Sequence, residues 1–159
     1  MSFTAEEIWS VLANAKEDSV FLHSFYSLPS VASSEHVTAR WGKLRAIRAV
    51  VSKQLEESRT AGSIGSSLQA EVLLSASADD YALLKSLGDD LRFAFITSQA
   101  KIAESAAGMD VKVSASTNQK CERCWHYRAD VGSHADHATL CSRCVDVVVN
   151  HKDEDRQYA

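Results

Sequence analysis

The sequence predicts an α+β protein, and three features of its pattern support that class. Apolar residues first recur at three- and four-residue steps, which is typical of amphipathic helices. From Leu68 they alternate with polar residues, as in a half-buried strand. All four cysteines lie between residues 121 and 144, in two matched pairs. We therefore expect a helical part over 1–66, a small α+β subdomain with mixed helices and strands over 67–117, and a four-cysteine zinc finger with a tail over 118–159.

The composition is that of an ordinary globular protein. The chain has 159 residues, 45% of them hydrophobic and 24% charged, with a net charge of −4. This balance excludes a strongly basic nucleic-acid binder but allows a local basic surface. No apolar run approaches the roughly 18 residues of a membrane span, and Glu6 and Glu7 stand where a signal peptide would be basic. We expect a cytoplasmic monomer with no membrane partner.

Two helices are predicted in the first sixty residues. Thr4 and Glu7 have the spacing of a capping box and predict a short first helix. Residues 19–26 could form a short strand or a packed loop before Pro29. A long helix over 35–59 carries six basic and two acidic residues between 40 and 59. Its apolar stripe is Trp41, Leu44, Ile47, Val51 and Leu55.

The middle of the chain predicts a strand, a helix and two further strands. The first strand follows the alternation over 68–76. A helix begins at Asp79 or Asp80 and ends at Gly88. The run 92–98 has the character of a buried strand, 100–107 is ambiguous, and 111–115 alternates again. The polar run 114–119 is predicted to link this unit to the cysteine module.

The cysteine spacing predicts one structural metal ion. Cys121 and Cys124 are separated by two residues, as are Cys141 and Cys144, and sixteen residues lie between the pairs. Two intervening residues allow a tight turn that aims both thiolates at one ion, so the two pairs complete a tetrahedron. Four thiolates favour zinc, or else an iron–sulfur centre. Two disulfides, four free thiols, or replacement of one ligand by a histidine are the alternatives; the histidines are His126, His134 and His137.

Six sequence blocks resemble the bacterial isoleucyl-tRNA synthetases. The most specific are Lys120-Cys-Glu-Arg-Cys-Trp-His-Tyr and Leu140-Cys-Ser-Arg-Cys, which resemble the C-terminal zinc finger of that family. Upstream, the block Phe3-Thr-Ala-Glu-Glu-Ile-Trp is similar to a late helix of its anticodon-binding domain. Trp41 with Leu44-Arg45 and Arg48, and Ile64-Gly-Ser-Ser-Leu-Gln-Ala-Glu-Val, are similar to the helix and strand that follow, and Phe95-Ile-Thr-Ser-Gln-Ala to the run before the finger. The same finger type occurs in DNA glycosylases, so the upstream blocks decide between the two families.

The resemblance implies an accessory role in aminoacylation. The synthetase's His-Ile-Gly-His-like and Lys-Met-Ser-Lys-Ser-like motifs do not occur here. The resemblance therefore implies a C-terminal fragment that helps position tRNA(Ile) for ATP-dependent aminoacylation by an absent catalytic domain, and that is inactive alone. Its partners would be tRNA(Ile) and the remainder of the synthetase chain. The alternatives are a stand-alone zinc ribbon that contacts nucleic acid or protein, and a relative of DNA repair enzymes.

RNA binding needs positive charge for phosphates and flat side chains for unstacked bases. Arg123 and Arg143 could instead support the thiolates or be solvated, and Trp125 could be a lid on the small finger core. We found no convincing catalytic constellation. The candidate RNA-binding residues are Lys43, Arg45, Lys120, Arg123, Trp125, His126, Tyr127, Arg128 and Arg143.

Overall fold

The computed structural model describes residues 2–12, 19–30 and 34–149. Its contacts divide the chain into two compact units, residues 1–34 and 35–159. Helices and a mixed sheet occur together with a four-cysteine cluster, so the predicted α+β class is confirmed. Within the described ranges, no helix is long and apolar enough to cross a membrane. The three domain boundaries inferred above stay a prediction.

Among its described residues, 2–12 and 19–30, the first unit contains one helix and one short turn. Helix α1 (Ser2–Val11) begins before Thr4, so the predicted cap at Thr4 is wrong. A 3-10 turn spans Val20–Leu22, and residues 24–30 have no regular structure, so 19–26 is not a strand. The Glu6 carboxylate joins the two parts. It accepts hydrogen bonds from the Ser19 hydroxyl at 3.0 Å and the Val20 backbone N–H at 3.1 Å.

Helix α2 (Ser34–Thr60) is the longest element of the second unit. Four residues of the predicted stripe are buried against the core: Leu44, Ile47, Val51 and Leu55. Trp41, the fifth, is 37% exposed, because the stripe extends beyond the part of the helix that the core covers. After the helix the chain reverses at Gly62, whose φ of +73° favours glycine.

The sheet has three strands, with β1 in the middle. Strand β1 (Ala70–Ala76) pairs in parallel with β2 (Gln99–Glu104) and antiparallel with β3 (Asp110–Ala115). The alternation predicted for the first strand is confirmed, and its inward residues form one core with the stripe of α2. These inward residues are Ala70, Val72, Leu74 and Ala76.

The connection from β1 to β2 is helical. Helix α3 (Ala78–Lys85) precedes a 3-10 turn over Gly88–Asp90 and helix α4 (Leu91–Phe95). The strand predicted over 92–98 is therefore wrong. Leu91 and Phe95 are both buried and stand one helical turn apart, and a short apolar run does not distinguish that arrangement from a strand. The strand lies instead at 99–104 and overlaps over most of its length with 100–107, the stretch that was ambiguous in the sequence.

The cysteine module is a small hairpin followed by a helix. Strands β4 (Gln119–Lys120) and β5 (Tyr127–Arg128) pair antiparallel and enclose the first cysteine pair. A 3-10 turn over Ala135–His137 leads to helix α5 (Ser142–Val148), which carries the second pair at its start. The predicted linker before the module is held in place. The buried Ser116 hydroxyl donates to the Glu71 carboxylate at 2.6 Å, and the Asn118 amide does so at 3.2 Å.

Candidate functional site

Local hydrogen bonds form the first cysteine turn. The Cys121 N–H donates to the His126 carbonyl, and the Trp125 N–H donates to the Cys121 carbonyl, each at 2.9 Å. Trp125 adopts a φ of +66°, which is uncommon for a bulky residue and closes this tight turn. At the second pair, Cys141 precedes α5, and Cys144 lies in its first turn. The backbone thus fixes the position of both cysteine pairs, and the two residues between the cysteines of each pair allow these turns.

The four sulfur atoms are close enough for one tetrahedral ion. All lie within 4.8 Å of one another, and the Cys124 and Cys141 sulfurs are 3.7 Å apart. Zinc–sulfur bonds of about 2.3 Å in a tetrahedron place neighbouring sulfurs about 3.8 Å apart. Cys121, Cys141 and Cys144 are buried, and Cys124 is half-buried. The donor set therefore fits a closed zinc site with no position left for a substrate.

The thiols differ in their electrostatic environment. Burial raises the pKa of Cys124 and Cys141. Burial would do the same at Cys121, but backbone N–H groups of Cys124, Cys141 and Arg123 lower the pKa of its thiol to about 6. The Cys141 backbone N–H lies 3.4 Å from the Cys121 sulfur. The Arg123 guanidinium lies 3.7 Å from the Cys144 sulfur. The backbone donors at Cys121 favour its thiolate, the form that a metal needs.

Two of the alternatives to a four-thiolate site, disulfides and a histidine ligand, find no support in the geometry of the described residues. None of the four cysteines is in a disulfide. No histidine joins the metal-competent group within the described part of the chain. His126 instead lies with its Nδ1 atom 3.2 Å from the Cys124 carbonyl oxygen, and its side chain is buried.

Trp125 is held on the surface rather than over a core. Its side chain is 59% exposed, and its indole N–H donates to the Glu122 carbonyl at 3.1 Å. The Lys120 ammonium lies 4.8 Å from the ring centroid, a cation–π distance. The alternative in which Trp125 is a lid is therefore wrong. Lys120 and Trp125 therefore place a cation beside a flat, exposed ring. Arg123 is also exposed, and its guanidinium lies 3.7 Å from the Cys144 sulfur.

Four other candidate residues lie toward the sheet unit. The Arg128 guanidinium is 3.4 Å from the Asp89 carboxylate. The Arg143 guanidinium lies 4.7 Å from the Phe93 ring centroid, and the His126 ring contacts Phe93 edge-on at 5.4 Å. Tyr127 is joined through its backbone N–H, which donates to the Ser98 hydroxyl at 2.6 Å. We call this junction, made by Asp89, Phe93, Ser98, His126, Tyr127, Arg128 and Arg143, the finger dock.

A buried arginine that the sequence did not predict as a site residue lies beside the finger dock and contacts two of its residues. Arg92 is 5% exposed, pairs with the Asp89 carboxylate and stacks on Phe93 at 4.3 Å. Burial, together with Arg128 and Arg143, lowers the pKa of Arg92 to about 10, so it remains charged at neutral pH. The only hint in the sequence was that polar side chains interrupt the apolar run 91–98.

The two helical candidates stand apart from the finger residues in the chain. Lys43 and Arg45 lie on α2 and are exposed, as is Arg48. Arg40, one turn earlier, is partly engaged, because its guanidinium donates to the Ser86 hydroxyl at 2.7 Å. Lys43 and Arg45 have no such contact within the described residues, so their charges are open to solvent.

Comparison with known proteins gives consistent matches. A family described as "Zinc finger found in FPG and IleRS" matches residues 118–147. Isoleucine–tRNA ligase from Janthinobacterium sp. (strain Marseille) is 55% identical over 91% of this chain. The same ligase from Bordetella petrii is 51% identical, and that from Nitrosomonas europaea 52% identical, each over 91% of the chain. The chain spans 16% of the length of each of these relatives.

The two comparisons agree over the part of the chain that they share. The finger description names two protein families, but the relatives match almost the whole chain, including the α2 and sheet regions. Together with the sulfur geometry, the finger match supports a single structural zinc ion.

Proposed function

We propose that this chain forms the C-terminal region of an isoleucine–tRNA ligase and helps that enzyme to hold tRNA(Ile) during ATP-dependent aminoacylation. The observation that carries this proposal is the exposed Trp125 ring, fixed by the Glu122 carbonyl and flanked by Lys120. A fixed aromatic face beside a cation suits an unstacked base and its phosphate. The catalytic steps belong to a domain whose motifs this sequence lacks, so we expect this chain alone to be inactive.

The proposed zinc ligands are Cys121, Cys124, Cys141 and Cys144. They are the only cysteines of the sequence, and their sulfurs meet at one point of the structure. Zinc held by four thiolates acts structurally, because it leaves no open position for substrate. The role of these residues is to hold the hairpin and α5 together, so that Lys120, Arg123 and Trp125 keep their mutual positions.

The candidate RNA contacts fall into two groups by exposure. Lys120, Arg123 and Trp125 are exposed on the finger, and Lys43 and Arg45 are exposed on α2. We propose that this exposed group makes the direct RNA contacts. His126, Tyr127, Arg128 and Arg143 take part in the finger dock, so we propose that they act chiefly through the placement of the finger.

The remainder of a ligase chain is a second proposed partner. The first unit exposes large apolar side chains that a stable solvated surface would rarely carry together. Phe3 is 93% exposed, and Phe25 is fully exposed. We propose that the ligase body covers these residues, and that the chain needs no second copy of itself.

A titration of this chain with RNA tests the proposal. We expect binding to tRNA(Ile) at low salt that exceeds binding to a non-cognate tRNA. Lys120→Ala should lower the slope of log affinity against log salt by about 1, as expected for one lost phosphate contact. Lys85→Ala is the matched control, since Lys85 is equally exposed but lies on α3. Equal binding to all tRNAs, with no effect of Lys120→Ala, would contradict the proposal.

A further inference from the structure

A groove of about 280 Å³ lies where the sheet meets the finger. Its lining includes Ser98 and Gln99 at the start of β2, Asn118 before the finger, and Tyr127, Arg128 and Asp130 around β5. Small-molecule pockets begin at about 300 Å³, so this groove has room for one flat ring rather than for a whole nucleotide. It is distinct from the exposed face of Trp125, which does not line it.

Hydrogen bonds fix the walls of the groove before any ligand arrives. The fully buried Ser98 hydroxyl donates to the Leu68 carbonyl and accepts from the Tyr127 N–H at 2.6 Å. Another lining residue, Asn118, donates a hydrogen bond from its side-chain amide to the Glu71 carboxylate at 3.2 Å. Glu71 is also the sheet neighbour of Gln99. The Glu71 carboxylate therefore stands beside both Asn118 and Gln99. These contacts exist without a ligand, and a pre-formed site loses less conformational entropy when a ligand binds.

Two carboxamides of the groove have hydrogen-bonding capacity to spare. The Gln99 side chain makes no hydrogen bond to any described residue and is half-buried. The Asn118 nitrogen is engaged with Glu71, while its oxygen has no partner in the described part of the chain. A carboxamide offers both donor and acceptor atoms, the complement of a nucleobase edge.

The remaining walls offer flat surfaces rather than free charge. Tyr127, an aromatic residue, lines the groove and is half-buried. The Arg128 guanidinium lies 3.4 Å from the Asp89 carboxylate and 3.5 Å from that of Asp130, so its charge is largely balanced. With Asp130 itself in the lining, the groove does not favour a phosphate. Aromatic and guanidinium planes are the surfaces on which proteins stack unstacked RNA bases.

We propose that this groove receives one unstacked base of the bound RNA, and that Gln99 and Asn118 read the edge of that base. The inference rests on the proposed function and adds a specificity site to it. Trp125 and Lys120 would hold the RNA irrespective of sequence, whereas the groove would discriminate between bases.

The test uses a complete, zinc-loaded isoleucine–tRNA ligase that carries this region. Gln99→Ala should raise the KM for tRNA(Ile) in aminoacylation about fivefold to tenfold, the effect of one lost hydrogen bond. The tRNA-independent exchange between ATP and pyrophosphate should not change. Gln54→Ala is the matched control, because Gln54 is also half-buried but lies on α2, where its amide bonds Glu57. The KM of this control should stay within twofold.

Discrimination between bases is the decisive measurement, because a purely structural role of Gln99 would not change it. Against a set of tRNA(Ile) transcripts with single substitutions in the anticodon loop, Gln99→Ala should flatten the preference at one position only. Gln99→Glu keeps the size of the side chain but removes its donor, so it should change which base is preferred at that position. If Gln99→Ala loses zinc or unfolds, the result with Gln99→Glu alone decides whether the groove reads a base.

The outcomes separate this inference from the proposed function. If both Gln99 variants leave KM and base preference unchanged while Lys120→Ala raises KM, the groove proposal is wrong and the proposed function stands. If none of these variants affects KM, both are wrong. A uniform rise of KM for all transcripts with Gln99→Glu would also overturn the groove, because it would show a loss of placement without base reading.

Discussion

The backbone N–H of Tyr127 donates a 2.6 Å hydrogen bond to the hydroxyl of Ser98, which also bonds the Leu68 carbonyl. One buried side chain therefore satisfies two backbone groups from segments on either side of it. Ser98 is fully buried, so no water can take its place without rearrangement. This contact ties the metal-binding hairpin to the sheet.

Replacing Ser98 tests that tie. Ser98→Ala would leave the Tyr127 N–H and the Leu68 carbonyl without their partner, at a cost of about 1–3 kcal/mol in the free energy of unfolding. Urea denaturation measures the change. Ser63→Ala is the control, because Ser63 is exposed and its hydroxyl has no partner among the described residues, and it should cost less than about 0.5 kcal/mol. Equal stability of the two variants would refute this role for Ser98.

Asp89 balances charge in the finger dock. Asp89→Asn would remove the carboxylate that pairs with the buried Arg92 and with Arg128. The side chain of Asp89 is 63% exposed, so water reduces the penalty, and we expect a loss of about 1–3 kcal/mol. Asp90→Asn, at the adjacent exposed position, should change the free energy of unfolding little. A similar, small effect of both changes in thermal melts would argue against the pairing.

Asp130 supports the start of α5. Its carboxylate accepts a hydrogen bond from the Ser142 N–H at 2.9 Å. Burial alone would raise the pKa of Asp130, but the Ser142 donors lower it below the usual value of 3.8. A carboxyl whose pKa is lowered by folding stabilises the folded state above its unfolded pKa, and this contribution disappears as the pH falls through the folded value.

The corresponding variant is Asp130→Asn. It should lose about 0.5–2 kcal/mol of unfolding free energy, as for other helix N-terminal acceptors. Because pH 5 and pH 7 both lie above the unfolded pKa, the difference from the parent protein should be the same at both values. Denaturation curves at the two pH values, with zinc in excess, measure it. A difference that vanishes at pH 5 would show that the carboxylate is not the stabilising group.

Removal of zinc should unfold the finger and spare the sheet. The buried residues form two separate clusters, one around α2 and β1 and one around the cysteines. A structural zinc contributes about 10–16 kcal/mol, far more than the few packed side chains of the second cluster. After chelation, we expect loss of the Trp125 fluorescence signal with retention of amide protection in β1.

Fluorescence needs a background in which Trp125 is the only tryptophan, so Trp9 and Trp41 would be replaced by phenylalanine. Cys144→Ser should reproduce the effect of chelation without a chelator. Loss of protection in β1 together with that in β5 would show instead that the two clusters unfold as one.

Much of the fold could be predicted from local pattern. The stripe of α2 and the alternation of β1 are periodic over many residues, and period is what distinguishes a helix from a strand. The strand predicted over 92–98 is wrong because most of that run belongs to helix α4 (Leu91–Phe95). It is five residues long, too short for a period to show, and its conformation follows from the burial of Leu91 and Phe95.

Only those parts of the site that depend on residues close together in the sequence could be predicted. The cysteine pairs carry their own spacing, and so the metal cluster follows from the sequence. The exposure of Trp125 depends on a backbone conformation with positive φ, which its residue type does not suggest. The pairing of Ser98 with Tyr127 joins residues 29 positions apart, and no local pattern contains that information.

The finger dock also determines how much of this chain must be transferred to graft the finger onto another protein. Residues 118–147 contain everything that the metal needs, yet their orientation depends on a serine, an aspartate and a phenylalanine from the neighbouring unit. A graft of these thirty residues alone would bind zinc but would point in no defined direction. For this chain, the smallest unit that could be grafted with its orientation intact is therefore the finger together with the residues of the finger dock that come from the neighbouring unit.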